Sequence, residues 1–153
     1  AAQAGRVSGV IVWVERSLAL AIHERQLAEH GGGVGVRDEA LLESALARPQ
    51  QLFAYSDPPP DLAALAASLA FGLARNHPFV DGNKHTTAVA CETFLLLNDA
   101  SLQASNIELY PIYLAVAEGS LSEADFAAWL RQHLRLESGN AVHESKTRYR
   151  RAR

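Results

Sequence analysis

The run Arg75-Asn76-His77-Pro78-Phe79-Val80-Asp81-Gly82-Asn83-Lys84-His85-Thr86-Thr87 joins two apolar helical patterns, and the rest of the 153-residue chain is organised around it. Ahead of it, Leu62, Leu65, Leu69 and Leu73 recur at three- and four-residue spacing, while Ala63, Ala64, Ala66, Ala67 and Ala70 keep the neighbouring faces thin. That spacing predicts a central helix over 62–74 that others approach closely on several sides. Gly72 weakens it slightly, and His77-Pro78 ends it, because the residue before a proline is driven out of helical conformation. Beyond the run, Val89, Cys91, Phe94, Leu95 and Leu97 predict a second apolar helix, stopped by Asn98-Asp99 and read as the most buried of the chain.

The loop between these helices concentrates the unusual chemistry. A helix starting near Asn83 presents the amides of Gly82, Asn83, Lys84 and His85 as unpaired donors at the positive end of its dipole, which suits a phosphate. Gly82 permits close backbone approach, and Lys84 adds a mobile positive charge. Asp81 either caps the helix or holds a divalent cation that bridges to phosphate oxygens, as Mg²⁺ does with one or two carboxylates. His77 is the candidate base, since imidazole is the side chain that exchanges a proton near neutral pH. Pro78 and Phe79 anchor the loop, with Phe79 pointing into the core. Together these parts describe phosphoryl or nucleotidyl transfer. Each alone is a common turn or cap; only the ordered combination points to chemistry.

The sequence has no Gly-x-x-x-x-Gly-Lys-Ser/Thr, no His-Glu-x-x-His, no paired Cys-x-x-Cys and no Gly-x-Ser-x-Gly, which removes the Walker, zinc and serine-hydrolase alternatives. His30, His133 and His143 lack a ligand spacing that would compel a metal site, and His23, inside its helix, reads as a partly buried or surface histidine rather than a catalytic one. The single Cys91 sits in an apolar stretch and reads as a small core residue.

Composition sets the frame. With 48% hydrophobic residues, 7% aromatics and alanine and leucine dominating, the chain fits one all-α domain with a substantial core. No stretch approaches the ~18–20 apolar residues of a membrane span and no signal-peptide order opens the chain, so a cytoplasmic protein is expected. The net charge of -3 hides an acidic body and a basic tail holding Lys146, Arg148, Arg150, Arg151 and Arg153. A disordered end over 137–153 is the expectation, with nucleic acid expected only through that tail.

Around the two central patterns lie weaker ones. Val10 to Val14 reads as one short strand or an extended lead-in within residues 1–15. Leu18, Ile22 and Leu27 mark an amphipathic helix ended by Gly31-Gly32-Gly33. Asp38 caps a second helix carrying Leu41, Leu42, Ala45 and Leu46, with Pro49 just past its end. Asp57-Pro58-Pro59-Pro60 is a rigid connector and Asp61 caps the central helix. Ser105 with Glu108 forms a capping box for a helix carrying Ile107, Ile112, Leu114 and Val116. Ser122 with Asp125 opens the last helix, which carries Phe126, Trp129, Leu130 and Leu134, and the domain closes near 136.

The run His77-Pro78-Phe79-Val80-Asp81-Gly82-Asn83-Lys84 closely resembles the signature of the Doc (death-on-curing) family within the Fic/Doc superfamily. Ile22 through Gly32, Val36 through Pro49 and Ala128-Trp129-Leu130 look like that family in the same order, so the likeness covers roughly residues 10 to 136. The resemblance implies a compact Fic/Doc-type helical bundle of about six main helices, with the active loop between two central ones. It implies a toxin of a toxin-antitoxin pair, silenced by a cognate antitoxin, that moves phosphate from ATP with Mg²⁺ onto elongation factor Tu. By the same match His77 is the general base, Asp81 the metal ligand, Gly82, Asn83 and Lys84 the phosphate cradle, and Phe79 the anchor. Fic proteins usually transfer AMP, whereas Lys84 stands where the Doc branch has its lysine. The family's next arginine is His85 here, and a further arginine of the Fic pattern falls on Ala88. Histidine is charged only in part at neutral pH, unlike arginine. Either His85 supplies a single donor to the same phosphates, or the fold persists as a binding module without transfer.

Overall fold

In the computed structural model, which describes residues 10–137, side-chain caps fix where four of the six helices begin. Asp38 accepts the Leu41 amide at 3.0 Å and starts α2, Glu39–Tyr55. Asp61 accepts the Ala64 amide at 2.9 Å and starts α3, Leu62–Asn76. Ser105 and Glu108 form a complete capping box ahead of α5, Asn106–Glu118, and Ser122 caps α6, Glu123–His133. The other two helices, α1 (Arg16–His30) and α4 (Asn83–Leu97), start without a side-chain cap. The class is all-α, as expected. The expected tail beyond Glu137 and the first part of the lead-in lie outside the described residues.

α3 runs through the centre against α2, α4, α5 and α6. Eleven of its fifteen residues are buried against six in α4, so α3 and not α4 is the most buried helix. The reason is the site itself: the first turn of α4 carries Lys84 and His85 into solvent, and Leu96 is exposed at its far end. Gly72 has a packing role beyond its low helix propensity. A Cβ there would lie 3.2 Å from the Ala45 Cα, so the two backbones of α2 and α3 close on each other at this point.

Several boundaries differ from the sequence reading for identifiable reasons. Pro49 lies inside α2, which continues to Tyr55 because Leu52 and Phe53 still reach the core; Phe53 meets Trp13 edge-on at 5.8 Å. In α1 the buried stripe is Ala19, Ile22, His23 and Gln26, with Leu18 and Leu27 only half-buried. In α5 the buried face is Leu109, Tyr113 and Val116, and Ile107 is 85% exposed. Val10 to Val14 forms no strand: Ile11 and Val14 are buried, while the Asn98 carboxamide bonds both the N–H and C=O of Val12 at 2.9 Å. A small antiparallel pair that periodicity missed joins β1, Ala100–Leu102, to β2, Leu134–Leu136, with Ser101 opposite Arg135. Three-residue strands are too short to show alternation.

Across this frame Arg131 reaches back to the cap of α3, where its guanidinium donates to both Asp61 oxygens at 2.6 and 3.0 Å. Burial alone would raise the Asp61 pKa, but the Arg131 hydrogen bond and the Ala64 amide hold it below the usual carboxylate value. Cys91 is fully buried, and burial pushes its thiol up to about 12, so it stays protonated and inert. Among the described residues, no helix is long and apolar enough to cross a membrane.

Candidate active site

The loop from α3 to α4 is built by backbone pairing on one side and a buried ring on the other. His77 takes a left-handed conformation, φ 48° and ψ 57°, at the end of α3. Such a conformation costs a non-glycine residue about 1–2 kcal/mol. Arg37 holds it there: its guanidinium donates to the carbonyls of His77 at 2.7 Å and Asn76 at 2.8 Å. The amides of Arg37 and Asp38 both donate to the Pro78 carbonyl, and Val80 N–H returns a bond to Gly35. The chain before α2 is thus laced to the loop. Phe79 is buried, with its ring stacked on His23 at 3.9 Å, and ring burial of this kind is worth about 2–3 kcal/mol.

His23 is only 3% exposed, and its Nε2 lies 2.8 Å from the Asp81 carbonyl. It therefore holds the loop on two counts, by stacking and by hydrogen bonding. The Asp81 carboxylate accepts the Gly33 amide at 3.2 Å and its neighbour's amide, Gly82, at 3.0 Å. A Cβ on Gly32 would come within 2.9 Å of Asp81 Oδ2, so Gly31-Gly32-Gly33 does more than end α1. It forms the wall against which Asp81 rests.

Gly82 precedes α4 at φ 75°, a left-handed value that suits glycine, and no side chain caps the helix. The first helical backbone bond runs from Thr86 N–H to the Gly82 carbonyl, so the amides of Asn83, Lys84 and His85 lie ahead of the ladder. The Asn83 side chain is already committed. Its amide donates to the Phe79 carbonyl and its oxygen accepts the Phe79 N–H, each at 3.0 Å. What Asn83 can offer an anion is its backbone N–H. Lys84 is exposed.

His85 stacks on His30, with ring centroids 4.0 Å apart and planes 20° from parallel. Partial burial, then His30 and Lys84, hold its pKa below the ordinary histidine value.

The expected site residues therefore divide around the start of α4. His77, Asn83 and Lys84 line a crevice with Ala74, Thr87, Tyr113 and Ala117, with room for about one water at 10 Å³. Asp81 and His85 face the other way, toward the glycine turn and the end of α1. Behind the crevice Tyr113 donates to Glu92 Oε2 at 3.2 Å, and burial raises the Glu92 pKa. Among the described residues no three His, Cys, Asp or Glu side chains converge as a metal cage. The donor set fits Mg²⁺ only in the form that one carboxylate allows, completed by phosphate oxygens and water. Uncapped amides beside Lys84 fit a polyphosphate.

Sequence reasoning missed the supporting residues His23 and Arg37 and the role of the glycine turn. A histidine falling in an apolar stripe with Ala19 and Ile22 was a signal for the first. Three glycines where one suffices to end a helix were a signal for the last. Nothing local marked Arg37.

The pattern of the Fic/DOC family matches residues 13–95, which spans the whole of this assembly from α1 to α4. Toxin Doc of Mycolicibacterium smegmatis (strain ATCC 700084 / mc(2)155) is 49% identical over 74 residues, 48% of this chain and 57% of that protein. Protein kinase doc of Escherichia phage P1 is 30% identical over 113 residues, 74% of this chain and 88% of that protein. With the helical architecture, the His77–Lys84 loop and these matches in agreement, the chain belongs to the Fic/DOC family.

Proposed function

We propose that this chain is a Doc-type toxin that transfers a phosphoryl group from ATP to a hydroxyl of a cytoplasmic translation protein, with elongation factor Tu the expected substrate and a cognate antitoxin holding it silent. The observation that carries the reading is the uncapped start of α4 beside Lys84, with His77 and Asp81 on the one loop that leads into it. The family supports a transferase, and the phage relative is named a protein kinase.

In this reading the amides of Asn83, Lys84 and His85 and the Lys84 ammonium orient the phosphate chain. Asp81 would hold Mg²⁺, which when bound neutralises phosphate charge during transfer. His77 accepts the proton of the attacking hydroxyl as the new oxygen–phosphorus bond forms and the bond to the departing diphosphate breaks. Phe79, His23 and Arg37 keep that imidazole in place and take no part in proton transfer.

The test is to incubate the protein with Mg²⁺, bacterial lysate and ATP labelled on the γ- or the α-phosphate. Incorporation of γ-label, lost in His77→Ala, supports the proposal. α-Label in its place identifies AMP transfer. Neither label, even in a folded His85→Arg variant, overturns transfer and leaves a module that binds antitoxin or nucleotide.

A further inference from the structure

His30 and His85 are 55 positions apart, on α1 and α4, and both are exposed, yet their rings stack face to face at 4.0 Å. His85 is the third residue of α4, where the helix dipole disfavours a cation unless an anion is present. We propose that His30 is a positioning residue for the phosphate site: by stacking on His85 it fixes that imidazole at the first turn of α4, where His85 contacts the phosphate chain of a nucleoside triphosphate as an imidazolium. This rests on reading the start of α4 as a phosphate site.

The surroundings explain why the charge comes with the ligand. Partial burial opposes a proton on His85, as do His30 from α1 and Lys84 on its own helix. Behind His30 stands Glu29, with Oε1 3.9 Å from His30 Nε2 and its other oxygen 3.2 Å from Arg25 Nε. The Asp81 carboxylate is turned to the amides of Gly33 and Gly82. A phosphate chain on the α4 amides supplies the negative charge that is missing, and His85 takes up a proton as it binds. The His30 ring, stacked face to face on it, fixes the orientation of the imidazolium. An arginine would be charged whether or not phosphate were present.

The experiment is calorimetric titration of the full chain with ATP in excess Mg²⁺, near pH 6 and near pH 8, in buffers of different ionisation enthalpy. His85→Arg, which cannot titrate, reports the nucleotide's own proton balance. Relative to it, the wild type should take up part of a proton and bind about five- to tenfold tighter near pH 6 than near pH 8, as one linked group whose pKa rises by about one unit requires. His30→Phe keeps the stack and should stay within about twofold of wild type at both pH values. His30→Ala should bind about three- to tenfold more weakly near pH 6, with the gap closing near pH 8. A merely structural His30 would weaken binding equally at both. A wild type no more pH-dependent than His85→Arg overturns the inference, as does His30→Ala matching wild type or His30→Phe failing like His30→Ala. Circular dichroism melts check that each variant is folded. Loss of ATP binding in every protein, His85→Arg included, removes the phosphate site itself, whereas binding without the pH-linked differences removes only the part played by His30 and His85.

Discussion

Replacing His77 by glycine removes the proposed base and at the same time releases the one left-handed non-glycine residue of the active loop. The comparison that isolates the backbone is His77→Gly against His77→Ala, since both lose an exposed imidazole. Alanine must still adopt φ near 48°, at a cost of about 1–2 kcal/mol relative to a right-handed conformation. Glycine escapes that cost but gives back about 0.5–1 kcal/mol through the greater freedom of its unfolded chain. His77→Gly is therefore expected to be more stable than His77→Ala by about 0.5–1 kcal/mol, or about 1–4 °C in the thermal midpoint for a domain of this size. Urea and thermal unfolding followed by circular dichroism measure the difference, and the γ-label assay should find both variants inactive. A glycine variant equal to or less stable than the alanine variant would show that the Arg37 clamp and Pro78 hold no strain at His77. Retained transfer in either variant would remove His77 as the base.

Gly32→Ala places a Cβ within 2.9 Å of Asp81 Oδ2 at φ +123°, whereas Gly31→Ala meets nothing within 4 Å. The Gly32 variant alone should raise the Mg²⁺ concentration needed for half-maximal transfer by about tenfold, the size of effect seen when a ligand's support is disturbed; equal curves for the two variants would refute the wall role. Gly72→Ala gains about 1 kcal/mol of helix propensity but drives a methyl against the Ala45 backbone, at a typical overpacking cost of about 1–3 kcal/mol. A net loss of about 1 kcal/mol in urea unfolding is expected, and a raised urea midpoint would contradict the close packing of α2 on α3. Asp61→Asn keeps a good N-cap and removes the charge that pairs with Arg131. Because the folded Asp61 pKa lies below its unfolded value, its contribution is full above about pH 4 and fades as pH falls through the folded value. The stability gap between wild type and Asp61→Asn, below about 1 kcal/mol for so exposed a pair, should be present at neutral pH and shrink in acid; a gap that widens in acid would reverse the assignment.

What was legible in the sequence is what local chemistry dictates. Asp38, Asp61, Ser105 and Ser122 each announce a helix start, because a short polar side chain before an apolar run has one obvious use there. The loop between α3 and α4 was legible because His77-Pro78 stops one apolar helix and Gly82 precedes the next. The misreadings came where packing at a distance decides. Pro49 looks like a terminator, but Leu52 and Phe53 carry α2 past it because the core is still within reach. Ile107 looks like a core residue, but α5 is turned so that Tyr113 faces α4 and Phe126. The β1–β2 pair and the His30–His85 stack each join segments more than thirty residues apart, and no local period encodes them.

The division of labour within the loop follows from which polar atoms are already spent. Both polar atoms of the Asn83 side chain serve the Phe79 backbone, and both Asp81 oxygens accept backbone amides. The His77 and Pro78 carbonyls are held by Arg37 and its neighbour. These bonds fix the shape of the run, so substitution of Asn83 should distort the loop before it alters any contact with ligand, whereas Asp81 both rests on backbone amides and is the proposed Mg²⁺ ligand. The groups left over are the three amides at the start of α4, the Lys84 ammonium, and the imidazoles of His77 and His85. Of these, His85 is stacked on His30, and among the described residues it makes no hydrogen bond that shapes the loop. A change at position 85 can therefore alter how phosphate is held while the fold and the other site residues stay as they are, which makes it the position at which the strength and pH dependence of binding can vary independently of the loop.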